Sequence, residues 1–403
     1  MRILFIVPYM PNAIRTRPYN LLRALARNGH ELTLLTLAQN AAEMDDAEAL
    51  RSWGIRVVAR PLSRARSLAN SAAALAGSEP LQAAYCWQPA LAADLTTLLR
   101  GEAFDVVHVE HLRGARYGRL ARNEIARSAS RTPVVWDSVD CISHLFRQAS
   151  VHSASRFGRA IARLELPRTE RFEGQLLGEF DQILATSPVD REALAQLGNG
   201  RAVASAPIRV LPNGVDTDTF RPGAFEDREP DTLILSGKMS YHANVTMAQF
   251  LVKQVMPRIW ARDPAVKVLL VGKDPAAEVR GLGRDPRVTV TGTVPDMQTF
   301  MRRATIALAP IVYSAGIQNK ILEAMACGAP VVTTPAAIAG LDVRPGEHLL
   351  VADGAAEMAD VALCLLNSPE RRQALSSAGL AYVREHHSWL TIAQRLALIY
   401  DSR

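Results

Sequence analysis

A glycine, a lysine and a glutamate lie close together where a loop passes into a predicted helix. Gly316 precedes a run of good helix formers that ends near Gly328, and Lys320 and Glu323 fall one turn apart on that helix. A helix that begins just after a glycine at the carboxyl edge of a parallel sheet points its free N–H groups and its positive end at a phosphate. The pattern favours a diphosphate near Lys320 and a ribose near Glu323, with an ordinary surface ion pair as the alternative.

A second glycine and lysine follow the first predicted strand of the C-terminal half. Gly237 and Lys238 come directly after the apolar run Leu233–Ser236. Because the carboxyl ends of parallel strands meet at one edge, two lysines from separate loops would converge on one pyrophosphate. We therefore expect Lys238 and Lys320 to share a ligand.

Two arginines follow the first predicted strand of the N-terminal half. Arg15 and Arg17 are predicted to lie in the loop before a helix over Tyr19–Asn28, at the sheet edge where α/β proteins bind ligands. They could grip a donor phosphate or an acidic acceptor, or they could be exposed residues without a ligand.

Two further strands of this half end in ionisable residues that could act as an acid or a base. His108, Glu110 and His111 follow one apolar run, and Asp137 and Asp140 follow the next. His108 could equally be a hydrogen-bonded histidine of the core. Asp137 directly follows its apolar run and is the preferred candidate base.

The sequence Asp216-Thr-Asp218 imitates a metal-binding pair of carboxylates. It stands between Pro212-Asn-Gly and Phe220-Arg-Pro222. This context predicts a turn that satisfies its own backbone, so we expect no metal site here.

The length of the chain and its pattern of apolar runs predict that these residues are carried by two α/β domains. A chain of 403 residues exceeds what one core usually supports, and short apolar runs alternate with helical stretches throughout. We predict an N-terminal domain over residues 1–203, a C-terminal domain over residues 204–385 and a last helix over residues 386–403, with a hinge near Gly198–Pro207. The predicted strands are Ile3–Val7, Glu31–Leu37, Ile55–Val58, Asp105–Val109, Val134–Trp136, Gln182–Thr186, Ile208–Leu211, Leu233–Ser236, Val266–Val271, Val288–Thr291, Ile306–Ala309, Val331–Thr333 and Leu349–Val351.

The composition of the chain indicates where the protein is located and which kinds of partner it has. Its four cysteines are scattered without metal-ligand spacing, and the opening apolar run is too short for a signal peptide, so we expect a cytoplasmic protein, with the inner face of the membrane as a further location. The net charge of +6 lies mostly in residues 1–205, which hold 25 arginines and 20 acids. The arginines between Arg113 and Arg171 fit either a phosphate-bearing or membrane-surface partner, or a solvated helical surface. No aromatic-basic motif accompanies the charge, so we expect no nucleic-acid partner.

The motifs at Gly316–Ala326, Pro212–Asp216 and Gly237-Lys238 together resemble the large family-four group of GT-B glycosyltransferases, in particular bacterial exopolysaccharide-type sugar transferases. The helix closed by Gly29 and the C-terminal segment around Trp389 share the resemblance, which therefore extends over nearly the whole chain. It implies two Rossmann-like domains facing across a cleft, with the donor in the C-terminal domain, the acceptor in the N-terminal domain and the last helix crossing back.

The resemblance also implies roles for individual residues. Glu323 would hold the ribose, and Lys238 and Lys320 the diphosphate, without a metal ion or cofactor. The loop residues Gly316, Ile317 and Gln318 and the turn at Gly237 would complete the donor site. The positions of residues at strand ends, and not the resemblance, lead us to expect acceptor contacts from Arg15, Arg17, Glu110 and His111 and catalytic roles for His108, Asp137 and Lys320.

Two departures from the family pattern bear on the sugar. Ala315 stands where a glutamate is usual, and Lys238 replaces an arginine. The implied reaction moves a sugar from a nucleotide diphosphate sugar, which we expect to be a UDP- or GDP-sugar, to a glycan, a lipid-linked or a small-molecule acceptor. A nucleotide-sugar epimerase of the same fold and a non-catalytic nucleotide-sugar-binding protein are the alternatives.

Overall fold

The computed structural model describes residues 1–128, 130–153, 156–198, 206–312 and 317–402. Ala315 and Gly316, and most of the predicted hinge near Gly198–Pro207, lie outside these ranges. The chain folds into two compact units. The first, here the N-terminal unit, comprises Met1–Arg147, Ala162–Pro212 and Ile392–Arg403, and the second, the C-terminal unit, comprises Gln148–Ile161 and Asn213–Thr391.

The sheet of the N-terminal unit has seven parallel strands in the order β3-β2-β1-β4-β5-β6-β7. Its strands are β1 Arg2–Val7, β2 Glu31–Ala38, β3 Arg56–Pro61, β4 Val106–Glu110, β5 Val134–Val139, β6 Gln182–Ala185 and β7 Ile208–Val210. The helices up to this point in the chain are α1 Thr16–Arg27, α2 Ala41–Arg51, α3 Arg64–Leu75, α4 Leu81–Tyr85, α5 Pro89–Gly101, α6 His111–Arg127, α7 Ile142–His152, α8 Arg156–Leu176 and α9 Pro188–Gly198.

The sheet of the C-terminal unit has six parallel strands in the order β10-β9-β8-β11-β12-β13. They are β8 Glu229–Ser236, β9 Lys267–Val271, β10 Val288–Gly292, β11 Ala304–Ala309, β12 Val331–Thr333 and β13 Leu350–Val351. The remaining helices of the chain are α10 His242–Phe250, α11 Met256–Trp260, α12 Ala277–Arg280, α13 Met297–Arg303, α14 Asn319–Ala326, α15 Pro335–Ile338, α16 Gly354–Leu366, α17 Pro369–His386 and α18 Trp389–Asp401, with a π-helical turn at Leu251–Val255 and short 3₁₀ turns at Phe225–Asp227 and Gly281–Arg284.

Every predicted strand is present, with ends that move by a few residues. The central strands are apolar on both faces because helices cover both sides of a parallel sheet, and β4 is buried along its whole length. The strand β7 pairs with β6, Ile183 facing Ile208, so the segment Ala162–Pro212 belongs to the N-terminal unit. The fold class predicted from the sequence, two α/β units in tandem, is confirmed.

The C-terminal segment returns to the N-terminal unit, as the resemblance implied. The hydroxyl of Tyr400 in α18 hydrogen-bonds Nδ1 of His108 in β4 at 2.8 Å, and the side-chain Nε2 of Gln182 donates to the carbonyl of Ser402 at 2.9 Å. The apolar side chains of Trp389, Ile392, Leu396 and Ile399 in this helix are buried, whereas Leu390 is exposed. A helix at the end of the chain therefore completes the core of the unit that begins it.

The segment Pro212-Asn-Gly-Val is fixed by the residues that precede α18. Nδ1 of His387 lies 2.8 Å from the carbonyl oxygen of Asn213, and the amide of Val215 donates to the carbonyl of His387 at 2.7 Å. A Cβ at Gly214 would lie 2.7 Å from the Trp389 ring, so glycine is required for this close approach. This sequence motif is therefore structural.

Candidate functional site

The sheet of the C-terminal unit has its topological switch point between β8 and β11. The connections from these neighbouring strands lead to opposite sides of the sheet, which opens a crevice at their carboxyl ends where α/β proteins bind ligands. Gly237 and Lys238 follow β8 directly, and α14 with Lys320 is the helix that follows β11. The two predicted phosphate-binding segments thus start from the same crevice.

The loop after β8 is shaped by two glycines that no larger residue could replace. Gly237 and Gly272, each at the end of its strand, have positive φ angles of 145° and 153°. A Cβ at Gly272 would lie 1.7 Å from the carbonyl oxygen of Gly237. The ends of β8 and β9 can approach this closely only because Gly272 has no side chain.

Lys320 lies against this loop. A Cβ at Gly237 would be 3.5 Å from Cε of Lys320 and 2.8 Å from Nδ2 of Asn244, which donates to the carbonyl of Lys238 at 3.0 Å. Lys238 itself is exposed. The structure therefore brings the predicted residues Gly237 and Lys320 together, with an exposed lysine beside them.

The two charged groups of α14 are held in a poorly solvated environment. Nζ of Lys320 donates to Oε1 of Gln318 at 3.1 Å. Desolvation lowers the pKa of Lys320 to about 8, although the charge of Glu323 opposes this, and desolvation raises the pKa of Glu323 to about 7. Bound diphosphate would restore the full charge of the lysine. The side chain of Ile317 packs in the core, so only its backbone could contact a ligand.

The sheet of the N-terminal unit has its switch point between β1 and β4. Here the hydroxyl of Tyr9 donates to Oε1 of Glu110 at 2.7 Å, while Oε2 of Glu110 has no hydrogen-bond partner among the described residues. Burial and the charge of Asp137 raise the pKa of Glu110 to about 8. A carboxyl group that titrates near neutrality at a switch point is a candidate acid or base.

Two residues at the same sheet edge have strained backbones. His111, after β4, has a φ angle of 66°, and Val139, at the end of β5, has a φ angle of 64°, which is rare for a β-branched residue. The amide of Val139 donates to Oδ1 of Asp137, and the amide of Arg113 donates to Nδ1 of His111. Strain of this kind concentrates at functional edges.

Asp137 forms a buried ion pair with Arg17. Nη2 and Nε of Arg17 donate to Oδ2 of Asp137 at 2.7 and 3.0 Å, and Nη2 also donates to the carbonyl of Leu211 at 3.1 Å. Both side chains are nearly or wholly buried. The pair joins the start of α1, the end of β5 and the chain after β7. Asp137, the predicted base, therefore has a structural role.

The two arginines predicted in the first loop are both engaged inside the N-terminal unit. The helix α1 begins at Thr16 and not at Tyr19, because Pro18 is well tolerated in a first helical turn, so Arg17 is helical and buried. Arg15 pairs with Glu43 at 3.1 Å and donates to the carbonyl of Met10. For Arg17 the interpretation as an exposed loop residue is therefore wrong, whereas Arg15 does lie in the loop before α1 and is partly buried. Direct contact of either arginine with an acceptor stays a prediction.

His108 has the surroundings of a core histidine. Its ring lies 4.3 Å from that of Phe5, Tyr400 bonds its Nδ1, and its Nε2 is 3.7 Å from Oδ2 of Asp137. Burial lowers its pKa to about 4, so the ring is neutral. These contacts favour the core alternative over a catalytic role.

The turn predicted at Asp216 is confirmed. Oδ1 of Asp216 accepts from the amides of Asp218 and Thr219, and its Oδ2 accepts from the Thr219 hydroxyl. No group of three or more His, Cys, Asp or Glu side chains within the described ranges could hold a metal ion.

Sequence reasoning missed three residues that shape these sites. Gly272 directly follows a predicted strand, and Tyr9 comes two residues after another. Their positions at the carboxyl ends of strands could have identified them. Tyr400 gave no local signal, because its partner His108 lies 292 positions away in the chain.

Comparison with known proteins identifies the family. The model of the family "Glycosyl transferase 4-like domain" matches residues 12–214, and that of "Glycosyl transferases group 1" matches residues 230–368. The chain belongs to this glycosyltransferase family. With the two parallel sheets, the match confirms the GT-B resemblance.

Relatives and solved structures agree with this assignment. A D-inositol 3-phosphate glycosyltransferase from Actinosynnema mirum is 26% identical over 94% of this chain and 89% of its own length. A GDP-mannose-dependent monoacylated alpha-(1-6)-phosphatidylinositol monomannoside mannosyltransferase from Corynebacterium glutamicum is 28% identical over 48% of this chain, and the match spans 55% of the relative. The crystal structure of Anabaena HepE in complex with UDP and glucose has a TM-score of 0.68 at 17% identity, covering both chains fully, and shows the shared fold.

Among the residues described for this glycosyltransferase, no helix has both the length and the apolar character needed to cross a membrane.

The buried ion pair generates a stability prediction. We expect Asp137→Asn to lower the free energy of unfolding by about 3 kcal/mol, because Arg17 would keep a buried charge without a counter-ion. Denaturant unfolding measures this. The matched control is Asp360→Asn, whose partner Arg262 is exposed, as is Asp360 itself, and which should cost less than about 1 kcal/mol. Equal effects of the two substitutions would show that the Arg17–Asp137 pair contributes no more to the free energy of unfolding than an exposed ion pair.

Proposed function

We propose that this glycosyltransferase moves a sugar from a nucleotide diphosphate sugar to the hydroxyl of an acceptor without a metal ion. The observation that carries the proposal is the contact between the Gly237 turn and Lys320 at the β8/β11 switch point. The relatives add support. One is named as GDP-mannose-dependent, and HepE was crystallised with UDP and glucose.

The donor diphosphate would lie between the Gly237 turn and the start of α14. Lys320 and the exposed Lys238 would balance its charge, and the positive end of α14 would add to this. Separation of the sugar from the diphosphate leaves negative charge on the leaving group, so these groups would stabilise the transition state more than the ground state. Glu323, one turn further along α14, would accept hydrogen bonds from the ribose.

Lys320→Ala tests the donor site. We expect a loss of about a hundredfold or more in turnover, the usual effect of removing one stabilising group at a developing charge. Acceptor-dependent release of UDP, GDP, ADP or TDP from the corresponding sugar nucleotides measures it, with and without a chelator. The matched control is Lys253→Ala, an exposed lysine of the same unit.

Each outcome of this test has a defined meaning. Wild-type turnover in Lys320→Ala would refute the diphosphate site, and inhibition by the chelator would refute metal independence. Release that needs only water would favour the epimerase or a hydrolase, and release from none of the four donors would favour a binding protein.

The pKa of Lys320 makes nucleotide affinity depend on pH. With a pKa of about 8 in the free protein, the lysine is charged at lower pH and loses its proton as the pH rises through 8. Diphosphate needs the charged form, so we expect affinity for UDP or GDP to fall by up to about tenfold per pH unit above 8. Calorimetric titration measures this. In Lys320→Arg the cation persists at high pH, so the alkaline decrease should vanish. Constant wild-type affinity through pH 8 would contradict the assignment.

Glu110 is the proposed group that receives the acceptor proton. It lies at the switch point of the N-terminal unit, and its Oε2 is the oxygen left for an acceptor hydroxyl once Tyr9 has bonded Oε1. This assignment replaces Asp137, whose oxygens are occupied by Arg17 and the Val139 amide.

Glu110→Gln separates the two candidate bases. We expect kcat to fall by about a hundredfold or more, because the amide cannot take a proton, while nucleotide affinity and thermal stability stay near wild type. Steady-state kinetics and nucleotide titration give both readouts. An unchanged kcat would show that Glu110 is not the base, and would favour proton uptake by the leaving diphosphate.

A further inference from the structure

The exposed side of α8 is apolar and positively charged. Phe157, Ile161 and Leu164 recur at helical spacing on it, with Phe157 exposed to 76% and Leu164 to 53%. Large apolar side chains that recur along one solvent-facing stripe mark an interaction surface more often than single exposed residues do. Arg156 and Arg163 are exposed on the same helix.

The helix α3 extends this surface within the N-terminal unit. Arg168 of α8 donates to the carbonyls of Ala74 and Leu75 at 3.3 and 2.9 Å, which holds the end of α3 beside α8. Leu68 and Leu75, two turns apart on α3, are exposed. We call the exposed residues Leu68, Leu75 and Leu164, with the arginines Arg64 and Arg163, the α3–α8 face.

The α3–α8 face lacks acidic residues. The sequence has no Asp or Glu from Leu62 to Ser78, nor from Cys141 to Leu164. Other arginines of this half are matched by acids, as in the pairs of Arg116 with Glu79, Arg119 with Glu179, Arg122 with Asp181 and Arg147 with Glu170. For Arg64 and Arg163, the described part of the chain offers no ion-pair partner. The α3–α8 face therefore carries positive charge that no acidic side chain of the described residues neutralises.

We propose that the α3–α8 face docks on an anionic lipid surface. Aliphatic side chains between arginines suit the boundary between lipid headgroups and acyl chains, where the side chains bury in the apolar layer and the guanidinium groups meet phosphates. Two copies of the chain meeting through this face would place like charges together, which disfavours self-association. The α3–α8 face contains none of the residues of the proposed donor site. The proposal therefore does not depend on the proposed reaction.

Docking by this face would place the protein at a membrane without a spanning helix. At the membrane surface, a lipid-linked acceptor would have a higher local concentration than a soluble acceptor. The arginine-rich stretch thus has two parts, one neutralised by acids and one available to lipid phosphates.

Vesicle co-sedimentation of the full chain tests the proposal. We expect binding to vesicles of phosphatidylglycerol mixed with phosphatidylcholine, little binding to phosphatidylcholine alone, and weaker binding as salt is added. Arg64→Gln and Arg163→Gln should each weaken binding about fivefold, since a basic residue near an anionic surface contributes about 1 kcal/mol.

The apolar contribution has a closely matched control. Leu68 on the α3–α8 face and Leu398 on α18 are each exposed to 69%. We expect Leu68→Gln to weaken vesicle binding several-fold and Leu398→Gln to leave it unchanged. Because both side chains are mostly in solvent, both variants should unfold at the wild-type denaturant concentration.

Three results would overturn the proposal. They are equal binding to neutral and anionic vesicles, equal effects of Leu68→Gln and Leu398→Gln, and absence of vesicle binding together with a concentration-dependent dimer that Leu68→Gln abolishes. The last result would assign the face to a second copy of the chain. Light scattering of the same samples measures the dimer.

Discussion

Parallel strand direction is the constraint on which both candidate sites depend. In each sheet all strands end at one edge, so the loops that follow them are neighbours in space although they are distant in sequence. At the switch points β8/β11 and β1/β4, connections leave to opposite sides and the crevice between them is free for a ligand. Gly237 and Lys320 meet at the first of these points, and Tyr9 and Glu110 at the second.

Desolvation sets the chemistry of the charged groups at these edges. Lys320, Glu323 and Glu110 all have pKa values moved toward neutrality by burial, so each is ready to change its charge state when a ligand arrives. For Arg17 and Asp137, the ion pair between them and the surrounding hydrogen bonds offset the desolvation penalty, so both groups are buried as charges. The first three groups are available for function, while the ion pair is committed to structure.

Positive charge has different uses in different parts of this glycosyltransferase. Lys320 lies at the crevice where we propose that phosphate binds. Most arginines along α6 neutralise acids within the N-terminal unit, and the arginines of the α3–α8 face accompany exposed leucines. A total charge cannot distinguish these roles. The distinction comes from the partner of each side chain and from its exposure.

The sequence by itself determined the two α/β units, the positions of all thirteen strands and the segments around Gly237 and Lys320, because apolar periodicity and glycine placement are local properties. The turn at Asp216 was also readable, since its bonds close within three residues. Only the tertiary structure decided that Asp137 binds Arg17, that His108 binds Tyr400 and that Gly272 meets Gly237. Each of these contacts joins residues far apart in the chain, and burial, which sets the charge state of Glu110, depends on neighbours that no local pattern specifies.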